Sequence, residues 1–278
     1  MILNISDDFD LSRIAGSGQC FRWQRQSDES YRIIHGQECL YIRQTGAEQY
    51  ELDCSEDAFS RIWHAYFDLD TRYAQIRARI DSMTDPYLAE ASEAEKGIRI
   101  LRQDPWEMVI SFIISQNRSI PMICQSIEAL CRLSGDARQD QRGCLFYTFP
   151  VPARIAALSE AELTGPCRLG YRWRYVQSVS RMAASGELNL KEIDSQPDDE
   201  ARRLLMSLYG VGEKVADCIL LFGFHRLNTL PVDVWMKRVF REHYISGYDV
   251  TKHSPYNGVY QQYLFAHSRN SSILHGKS

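Results

Sequence analysis

The chain has 278 residues, a formal net charge of −4, 44% hydrophobic residues and 24% charged residues, which is the composition of an ordinary globular protein. No run of about 18 apolar residues occurs, so a membrane-spanning segment is not expected. The first ten residues carry three aspartates and no basic group, which argues against a secretory signal, and the negative net charge argues against coating of nucleic acid through bulk charge.

Residues 19–54 contain four short segments rich in aromatic and β-branched residues, separated by polar turns. The segments are 20–23, 31–34, 39–43 and 50–54. Their spacing and turn residues are typical of an antiparallel meander. The sequence therefore predicts a small β-sheet domain near the N-terminus.

After this region the pattern is helical almost to the end of the chain. Asp104 and Glu107 have the form of a capping box, with proline at the first helical position, and they precede a nearly all-apolar segment over 108–114. Such a helix must be buried on most sides. Ser119 is expected to cap the next helix, with Pro121 in its first turn.

Gly186 and Gly210 are expected to end later helices, and the polar residues 270–278 are expected to fray. The predicted fold class is α+β. It consists of a small N-terminal antiparallel β-sheet domain with flanking helices over residues 1–97, followed by a mostly helical domain over residues 98–278.

Eight cysteines are scattered along the chain without paired spacing, and no C-x-x-C occurs. Most lie beside apolar residues, which is typical of buried free thiols in a reducing compartment. We therefore expect a protein that is not secreted. Its location would be cytoplasmic, with the nucleoid, if the source is prokaryotic, and nuclear if it is eukaryotic.

The most informative stretch is residues 204–240, LLMSLYGVGEKVADCILLFGFHRLNTLPVDVWMKRVF. An apolar helical edge ends at the G-V-G turn of 210–212, where two glycines allow a tight reversal while the valine packs back inside. A second amphipathic helix then carries Lys214 in its first turn and ends near Gly223. The free N–H groups at its start can face an anion such as a DNA phosphate.

This stretch resembles the helix-hairpin-helix and Gly-Pro-Asp signature of the DNA glycosylase superfamily. The pieces GVGEKVADC and PVDVWM are most similar to the 8-oxoguanine DNA glycosylase/AP lyase family. The resemblance spans nearly the whole chain through SGQCFRW at 17–23, GIRILRQDPWE at 97–107, ISFIISQN at 110–117, LGYRWRYV at 169–176 and PYNGVYQQYLF at 255–265. It implies that the helical domain is a helix-hairpin-helix glycosylase domain.

The resemblance implies a bifunctional enzyme that excises 8-oxoguanine from duplex DNA, with Lys214 as nucleophile and Asp233 stabilising positive charge at the sugar. An amine must be neutral to attack C1′, and a helix N-terminus together with partial burial would lower the pKa of Lys214. The opened sugar would form a Schiff base, which permits β-elimination. Taken alone, Lys214 would be a solvated surface residue and Asp233 an N-cap of a helix over 234–241.

A base can be processed only after it is flipped out of the duplex and held in a pocket. The resemblance implies that the carbonyl of Gly18 accepts a hydrogen bond from N7–H of 8-oxoguanine and that Gln261 binds the Watson–Crick edge. It also implies that Phe265 stacks on one face of the base and that Cys218 covers the other. Gln261 and Phe265 are one helical turn apart and so share a face. Without the resemblance, Gly18 is an ordinary turn glycine, Phe265 a core aromatic and Gln261 a surface amide.

Other residues match positions at the gap that the flipped base leaves. The resemblance implies that Asn117 and Arg172 contact the orphaned cytosine and that Tyr171 is a wedge between stacked bases. It also implies that the backbone at Gly210 and Gly212 contacts DNA. On the residue pattern alone, Asn117 is an ordinary helix C-terminal residue.

Two positions depart from the family pattern. Met122 stands where eukaryotic members have an arginine that helps to read the opposite cytosine, and methionine has no donor for a base acceptor. We therefore expect a relaxed preference for the base opposite the lesion. Trp235 stands where those relatives have a histidine near a phosphate, and its indole N–H can still donate to a phosphate oxygen.

No cofactor is expected to be required. The resemblance allows a monovalent or divalent cation at the hairpin, bound by the backbone carbonyls of Met206, Leu208 and Val211. No cysteine follows Cys218, so the iron–sulfur cluster that endonuclease-III-type relatives carry beyond this motif is not expected. The expected partner is damaged duplex DNA. The protein is expected to be a monomer and not to associate with a membrane.

Two other interpretations stay open. The same scaffold could excise other oxidised or alkylated bases, although monofunctional alkyl-base enzymes lack the lysine. The chain could also be a non-catalytic helix-hairpin-helix DNA-binding protein that holds duplex through phosphates alone, which needs neither Lys214 nor Asp233. The basic residues at 168–174 and 237–241 are either phosphate contacts or solvated faces.

Overall fold

The computed structural model describes the backbone of residues 1–274 and the side chains of residues 1–271. Its N-terminal part contains five strands, which are β1 (Ile2–Asn4), β2 (Trp23–Arg25), β3 (Tyr31–His35), β4 (Glu38–Gln44) and β5 (Gln49–Leu52). They form one antiparallel sheet in the order β1-β5-β4-β3-β2. The predicted sheet domain is confirmed, and β2 to β5 are its meander.

The sheet differs from the prediction in two places. Strand β1 was not predicted, because three residues carry too little alternation to be recognised; they pair with β5 at the sheet edge. The predicted strand at 20–23 contributes only Trp23. Cys20, Phe21 and Arg22 are buried in the loop before β2, so their pattern indicated burial rather than strand pairing.

Helical segments of the N-terminal part bury one face of this sheet. They are α1 (Leu11–Gly16), α2 (Glu56–Ala58), a π-helical turn (Phe59–Trp63) and α3 (His64–Tyr66). Trp63, which is fully buried, packs in one cluster with Ile33 and Leu40 of the sheet. The alternate residues Ile34 and Tyr41 lie in a separate buried cluster, so both faces of the sheet are covered.

The rest of the chain is mostly helical, and the predicted α+β class is confirmed. The helices are α4 (Tyr73–Arg77), α5 (Pro86–Ala94), α6 (Pro105–Ser115), α7 (Ile120–Ser134), α8 (Pro152–Ala156), α9 (Glu160–Thr164), α10 (Trp173–Ser185), α11 (Leu190–Ser195), α12 (Asp198–Met206), α13 (Glu213–Phe222), α14 (Val234–His243) and α15 (Asn257–Leu274), with a 3₁₀ turn at Gly170–Arg172. Gly186 ends α10 in the left-handed conformation, as predicted.

A short β-hairpin interrupts these helices, so the prediction of helix throughout this region was wrong here. Strands β6 (Ala137–Gln139) and β7 (Leu145–Tyr147) pair antiparallel. The Asp140 carboxylate accepts the backbone N–H groups of Arg142 and Cys144, which fixes the turn between the strands. Asp140 also binds Arg32 of β3 at 3.0 Å, which holds the hairpin to the sheet.

Helix α6 lies in the centre of the larger core, with residues 107–114 all buried. The Asp104 carboxylate accepts the Glu107 N–H at 2.8 Å, which confirms one half of the predicted capping box, whereas the Glu107 carboxyl is not bound to the Asp104 N–H. The buried Glu107 carboxyl is directed at Arg22 of the sheet domain, 3.7 Å away. Burial raises the pKa of Glu107 to about 7. Ser119 is the N-cap residue of α7, as predicted, although its side chain makes no capping hydrogen bond.

The two parts of the chain are packed together by buried polar side chains as well as by apolar ones. Asp68 of the sheet domain binds His225 of the helical part at 3.1 Å. Tyr73 and Leu88 belong to the same hydrophobic cluster as Ile98, so residues on both sides of position 97 share the larger core. The division of the chain at that position stays a prediction.

Helix α15 continues through Leu274, so the prediction that the chain frays from residue 270 was wrong as far as the structure describes it. Asn270 is held by a hydrogen bond to Glu95 at 2.9 Å. Residues 275–278 of that prediction lie outside the described residues. Five of the eight cysteines are buried, whereas Cys144 is exposed. None of the described helices is long and apolar enough to cross a membrane.

Candidate active site

The hairpin between α12 and α13 has the tight geometry that its glycines predict. Gly210 has φ +84°, and a β-carbon at this position would lie 2.3 Å from the ring of Tyr175. Only glycine fits both the left-handed backbone and this close approach. Val211 is buried, as expected for the residue that packs back inside, and Gly212 is the N-cap residue of α13.

Lys214 is half-buried in the first turn of α13, so it is not the fully solvated residue of the alternative interpretation. Its Nζ lies 5.7 Å from the ring centroid of Phe112, a residue of α6 that the sequence analysis did not single out. Phe112 is itself buried and stacks on Phe222 at 5.4 Å between centroids. An apolar aromatic surface therefore lies beside the amine.

Lys214 and Asp233 both influence the ionisation of the buried Cys218 thiol. Burial raises the pKa of Cys218; the nearby Lys214 ammonium acts in the opposite direction and the Asp233 carboxylate in the same one. Both charges therefore reach one buried sulfur, one helical turn from Lys214. A direct pairing of the Lys214 amine with the Asp233 carboxylate stays a prediction.

Asp233 is the N-cap residue of α14, and its Oδ1 accepts the Met236 N–H at 2.9 Å. The capping interpretation is therefore correct, and it fixes the orientation of the carboxylate. Trp235, in the first turn of the same helix, is half-buried.

The residues predicted to bind a base lie on elements that meet. Gly18 has φ +81°, and a β-carbon there would lie 3.5 Å from Cε1 of Phe265 and 3.6 Å from Cδ1 of Ile120. Gln261 is one turn before Phe265 on α15 and is 3% exposed, so it is not a surface amide. Ile120 was missed by the sequence analysis, since a helix-start isoleucine carries no distinctive signal. We call Gly18, Ile120, Gln261 and Phe265 the base site.

Asn117 has φ +53° in the loop that follows α6. Two side chains hold this loop. Gln116 donates to the Gly210 carbonyl at 3.0 Å, which ties the loop to the hairpin. Arg172 is 5% exposed and donates to the carbonyls of Gln116, at 2.7 Å, and Asn117, at 3.3 Å. Its guanidinium is thus engaged inside the protein, behind Asn117, and a contact with a base would require these bonds to be exchanged.

Tyr171 and Met122 are both at the surface, with exposed fractions of 50% and 49%. The Tyr171 ring lies 4.4 Å from the guanidinium carbon of Arg172 and meets Tyr175 edge-on at 5.9 Å. Tyr175 in turn meets the exposed Tyr209 at 4.7 Å. An aromatic ladder therefore connects the predicted wedge to the hairpin.

A groove of about 940 Å³ opens beside Lys214, which is within the size range of ligand pockets. Its lining includes Arg202, Lys237 and Asp217, and Arg202 binds Asp217 at 2.7 Å. Of the basic residues near Lys237 on α14, Arg241 pairs with Glu242 of the same helix. The basic face at 237–241 is therefore partly neutralised within its own helix.

The hairpin carbonyls predicted to hold a cation belong to Met206, Leu208 and Val211. The Leu208 carbonyl accepts the Val211 N–H at 3.1 Å, so one lone pair of this oxygen is engaged in the turn. In the part of the chain that the structure describes, no group of three or more His, Cys, Asp or Glu side chains could hold a metal ion. The backbone cation site stays a prediction.

Two protein-family profiles match the chain. The family described as 8-oxoguanine DNA glycosylase, N-terminal domain, matches residues 1–109. The family described as HhH-GPD superfamily base excision DNA repair protein matches residues 110–254, which include the hairpin, Lys214 and Asp233.

Individual relatives agree with these profiles. A probable N-glycosylase/DNA lyase of Methanothermobacter thermautotrophicus is 31% identical over 96% of both chains. Among solved structures, MBOgg1 in complex with a low-affinity DNA ligand has a TM-score of 0.91 and 36% identity, over 98% of this chain and 96% of that one. The Clostridium acetobutylicum 8-oxoguanine glycosylase/lyase, in complex with double-stranded DNA containing cytosine opposite 8-oxoguanine, has a TM-score of 0.88 and 33% identity, over 98% of this chain and 99% of that one.

Proposed function

The chain belongs to the 8-oxoguanine DNA glycosylase family, and we propose that it is a bifunctional DNA glycosylase/AP lyase that excises 8-oxoguanine from duplex DNA. The observation that carries this proposal is the position of Lys214. Lys214 is half-buried, its Nζ lies 5.7 Å from the ring centroid of Phe112, and both Lys214 and Asp233 influence the ionisation of the buried Cys218 thiol. A DNA-binding module without catalysis needs no amine and carboxylate beside one buried thiol.

Lys214 is the nucleophile of the proposed reaction. Its neutral amine attacks C1′ of the deoxyribose, a bond from Nζ to C1′ forms, the C1′–N9 bond breaks, and the purine leaves with the bonding electron pair. The amine loses its proton as the sugar ring opens to a Schiff base. Asp233 stabilises the positive charge that develops at the sugar, and the cap bond to Met236 keeps its carboxylate in place.

The lyase step follows from the Schiff base. The imine acidifies the C2′ proton; its removal expels the 3′ phosphate by cleavage of the C3′–O bond. Hydrolysis of the imine then frees Lys214. The same residue therefore serves both activities, whereas the base site is needed only for the first.

Discrimination of 8-oxoguanine from guanine depends on one proton. The Gly18 carbonyl would accept the N7–H of 8-oxoguanine, whereas guanine presents an unprotonated N7 and leaves two acceptors facing each other. Phe265 would stack on one face of the base, Cys218 would cover the other, and Gln261 would bind the Watson–Crick edge. The burial of Gln261 and the approach of Gly18 to Phe265 support this assignment.

The remaining surface residues would hold the duplex open. Asn117 would enter the gap opposite the flipped base, with Tyr171 as the wedge, and the backbone at Gly210 and Gly212 would contact phosphates. Met122 offers no hydrogen-bond donor where an arginine would read cytosine, so we propose a relaxed preference for the opposite base. One monomer would act on one duplex.

A panel of duplexes, each with a single lesion, tests the proposal. The panel contains 8-oxoguanine, an oxidised pyrimidine, a methylated purine and undamaged guanine in the same sequence. We expect strand cleavage at 8-oxoguanine and none at the methylated purine. Release of the methylated purine or the oxidised pyrimidine at an equal or greater rate would replace the proposed substrate. Binding without cleavage of any duplex would favour the non-catalytic alternative.

A further inference from the structure

Arg269 lies one helical turn after Phe265 on α15 and contacts both the Phe265 ring and the segment that precedes Gly18. Its guanidinium donates to the carbonyl of Gly16, and its guanidinium carbon lies 5.3 Å from the ring centroid of Phe265. Burial lowers the pKa of Arg269, while the carboxylates of Glu95 and Asp233 act against this effect. A half-buried arginine in this position is tied to the site rather than to solvent.

The acceptor of Arg269 belongs to the segment that carries the base-reading carbonyl. Gly16 is the last residue of α1, where helical carbonyls lack intrahelical partners and the helix dipole favours a cation. Gly18 follows two residues later. The bond from Arg269 therefore connects the upstream side of this turn to the helix that carries Gln261 and Phe265.

The downstream side of the same turn is held by a different residue. Gln19 is fully buried, donates to the Arg99 carbonyl at 2.8 Å and accepts the Leu101 N–H at 2.8 Å. Its amide also donates to the Ser17 hydroxyl at 2.8 Å. Gly18 thus lies between two anchors: Gln19 fixes it to residues 99–101, and Arg269 fixes it to α15.

We propose that Arg269 is a positioning residue that sets the distance between the Gly18 carbonyl and the Phe265 ring, and thereby the selectivity for 8-oxoguanine over guanine. This inference rests on the proposed function. The planar guanidinium is suited to the task, since it can donate to a carbonyl and lie over an aromatic ring at the same time. Lysine at this position keeps the charge and can still donate to the carbonyl, but it lacks the planar guanidinium that lies over the ring.

The experiment separates base recognition from lysine chemistry. Arg269→Met and Arg269→Lys are compared with the parent protein in three single-turnover assays: excision of 8-oxoguanine, excision of guanine, and β-elimination at a preformed abasic site. The abasic duplex needs Lys214 but presents no base to Gly18 and Phe265. For Arg269→Met we expect 8-oxoguanine excision to fall about 10- to 100-fold, because a displacement on the order of 1 Å at a recognition group has this effect.

For Arg269→Met we also expect the ratio of the excision rates of 8-oxoguanine and guanine to fall, while the rate of abasic-site cleavage stays within about threefold of the parent rate. Arg269→Lys should recover part of the lost 8-oxoguanine excision. Arg154→Met is the control, because Arg154 also binds a backbone carbonyl, that of Ser134 at 3.3 Å, away from the base site. A parallel fall in abasic-site cleavage, or an unchanged selectivity ratio, would overturn the inference. Absence of 8-oxoguanine excision by the parent protein would instead contradict the proposed function.

Discussion

Gly18 and Phe265 face each other across the two parts of the chain, and a β-carbon at residue 18 would lie 3.5 Å from the Phe265 ring. Gly18 also has φ +81°, which side-chain-bearing residues rarely adopt. The backbone conformation is therefore what favours glycine at residue 18, because a β-carbon there would make only an ordinary van der Waals contact with the ring. A base that stacks on Phe265 would pass beside the Gly18 carbonyl.

Gly18→Ala should lower the rate of base excision strongly while it lowers the free energy of unfolding only slightly. The left-handed backbone costs an alanine about 1 kcal/mol, and the added methyl group narrows the space in front of Phe265. We expect 8-oxoguanine excision to fall about 10- to 100-fold, with abasic-site cleavage little changed. Single-turnover kinetics on the two duplexes measures both.

Gly186→Ala is a matched control for this variant. Gly186 has φ +84°, yet nothing lies within 4 Å of its would-be β-carbon. The same backbone strain is therefore introduced without any new contact. If Gly186→Ala lowered 8-oxoguanine excision as much as Gly18→Ala does, backbone strain alone would explain the fall. That result would contradict a role of Gly18 in base recognition.

Met122→Arg should strengthen the preference for cytosine opposite the lesion. Met122 is half-exposed in the first turn of α7, so an arginine there can reach a base and donate to its acceptors. We expect the ratio of excision rates opposite cytosine and opposite adenine to rise about tenfold. Met83→Arg, at an exposed methionine outside the site, controls for added charge. An unchanged ratio would show that residue 122 does not read the opposite base.

The buried Glu107 predicts a pH-dependent stability. The pKa of Glu107 is raised from 4.5 to about 7 in the folded state, so the protonated carboxyl favours folding. Its contribution to the free energy of unfolding is fully present below pH 4.5 and is lost as pH rises through about 7. Relative to Glu107→Gln, the parent protein should lose on the order of 2–3 kcal/mol of unfolding free energy between pH 5 and pH 8. Urea unfolding at both pH values measures this difference.

Glu187→Gln, at an exposed glutamate, serves as the control in the same urea experiment. It should leave the pH dependence of the unfolding free energy unchanged. Parallel stability curves for the parent protein and Glu107→Gln would mean that the Glu107 carboxyl is ionised in both states.

The hairpin and the positions of its two candidate catalytic residues were predictable because their signals are local. Two glycines, a lysine in the next helical turn and an aspartate at a helix start are visible within one stretch of sequence, and each keeps its local role in the structure. Strand β1 was missed because it forms by pairing with the distant strand β5. The β6–β7 hairpin is local, but each of its strands has only three residues, too few for an alternating pattern to be recognised.

The site contains further residues that no local pattern could identify. Ile120, Phe112 and Arg269 reach it only through tertiary packing. The contacts of Arg172 were not predictable from sequence either. The family resemblance implied a DNA contact, whereas the structure shows the Arg172 guanidinium bound to the carbonyls of Gln116 and Asn117.

The central claim is that the Lys214 amine attacks the sugar, and borohydride trapping tests it most directly. The parent protein, Lys214→Gln and Lys191→Gln are each incubated with an 8-oxoguanine:cytosine duplex and borohydride. Lys191 is the matched control, since it occupies the same second position of a helix, in α11, but is exposed.

We predict a covalent protein–DNA adduct with the parent protein and with Lys191→Gln, and its loss with Lys214→Gln, which should still bind the duplex while base release falls at least about 1,000-fold. An adduct that forms in the Lys214→Gln variant would contradict the account, because the nucleophile would then be another residue.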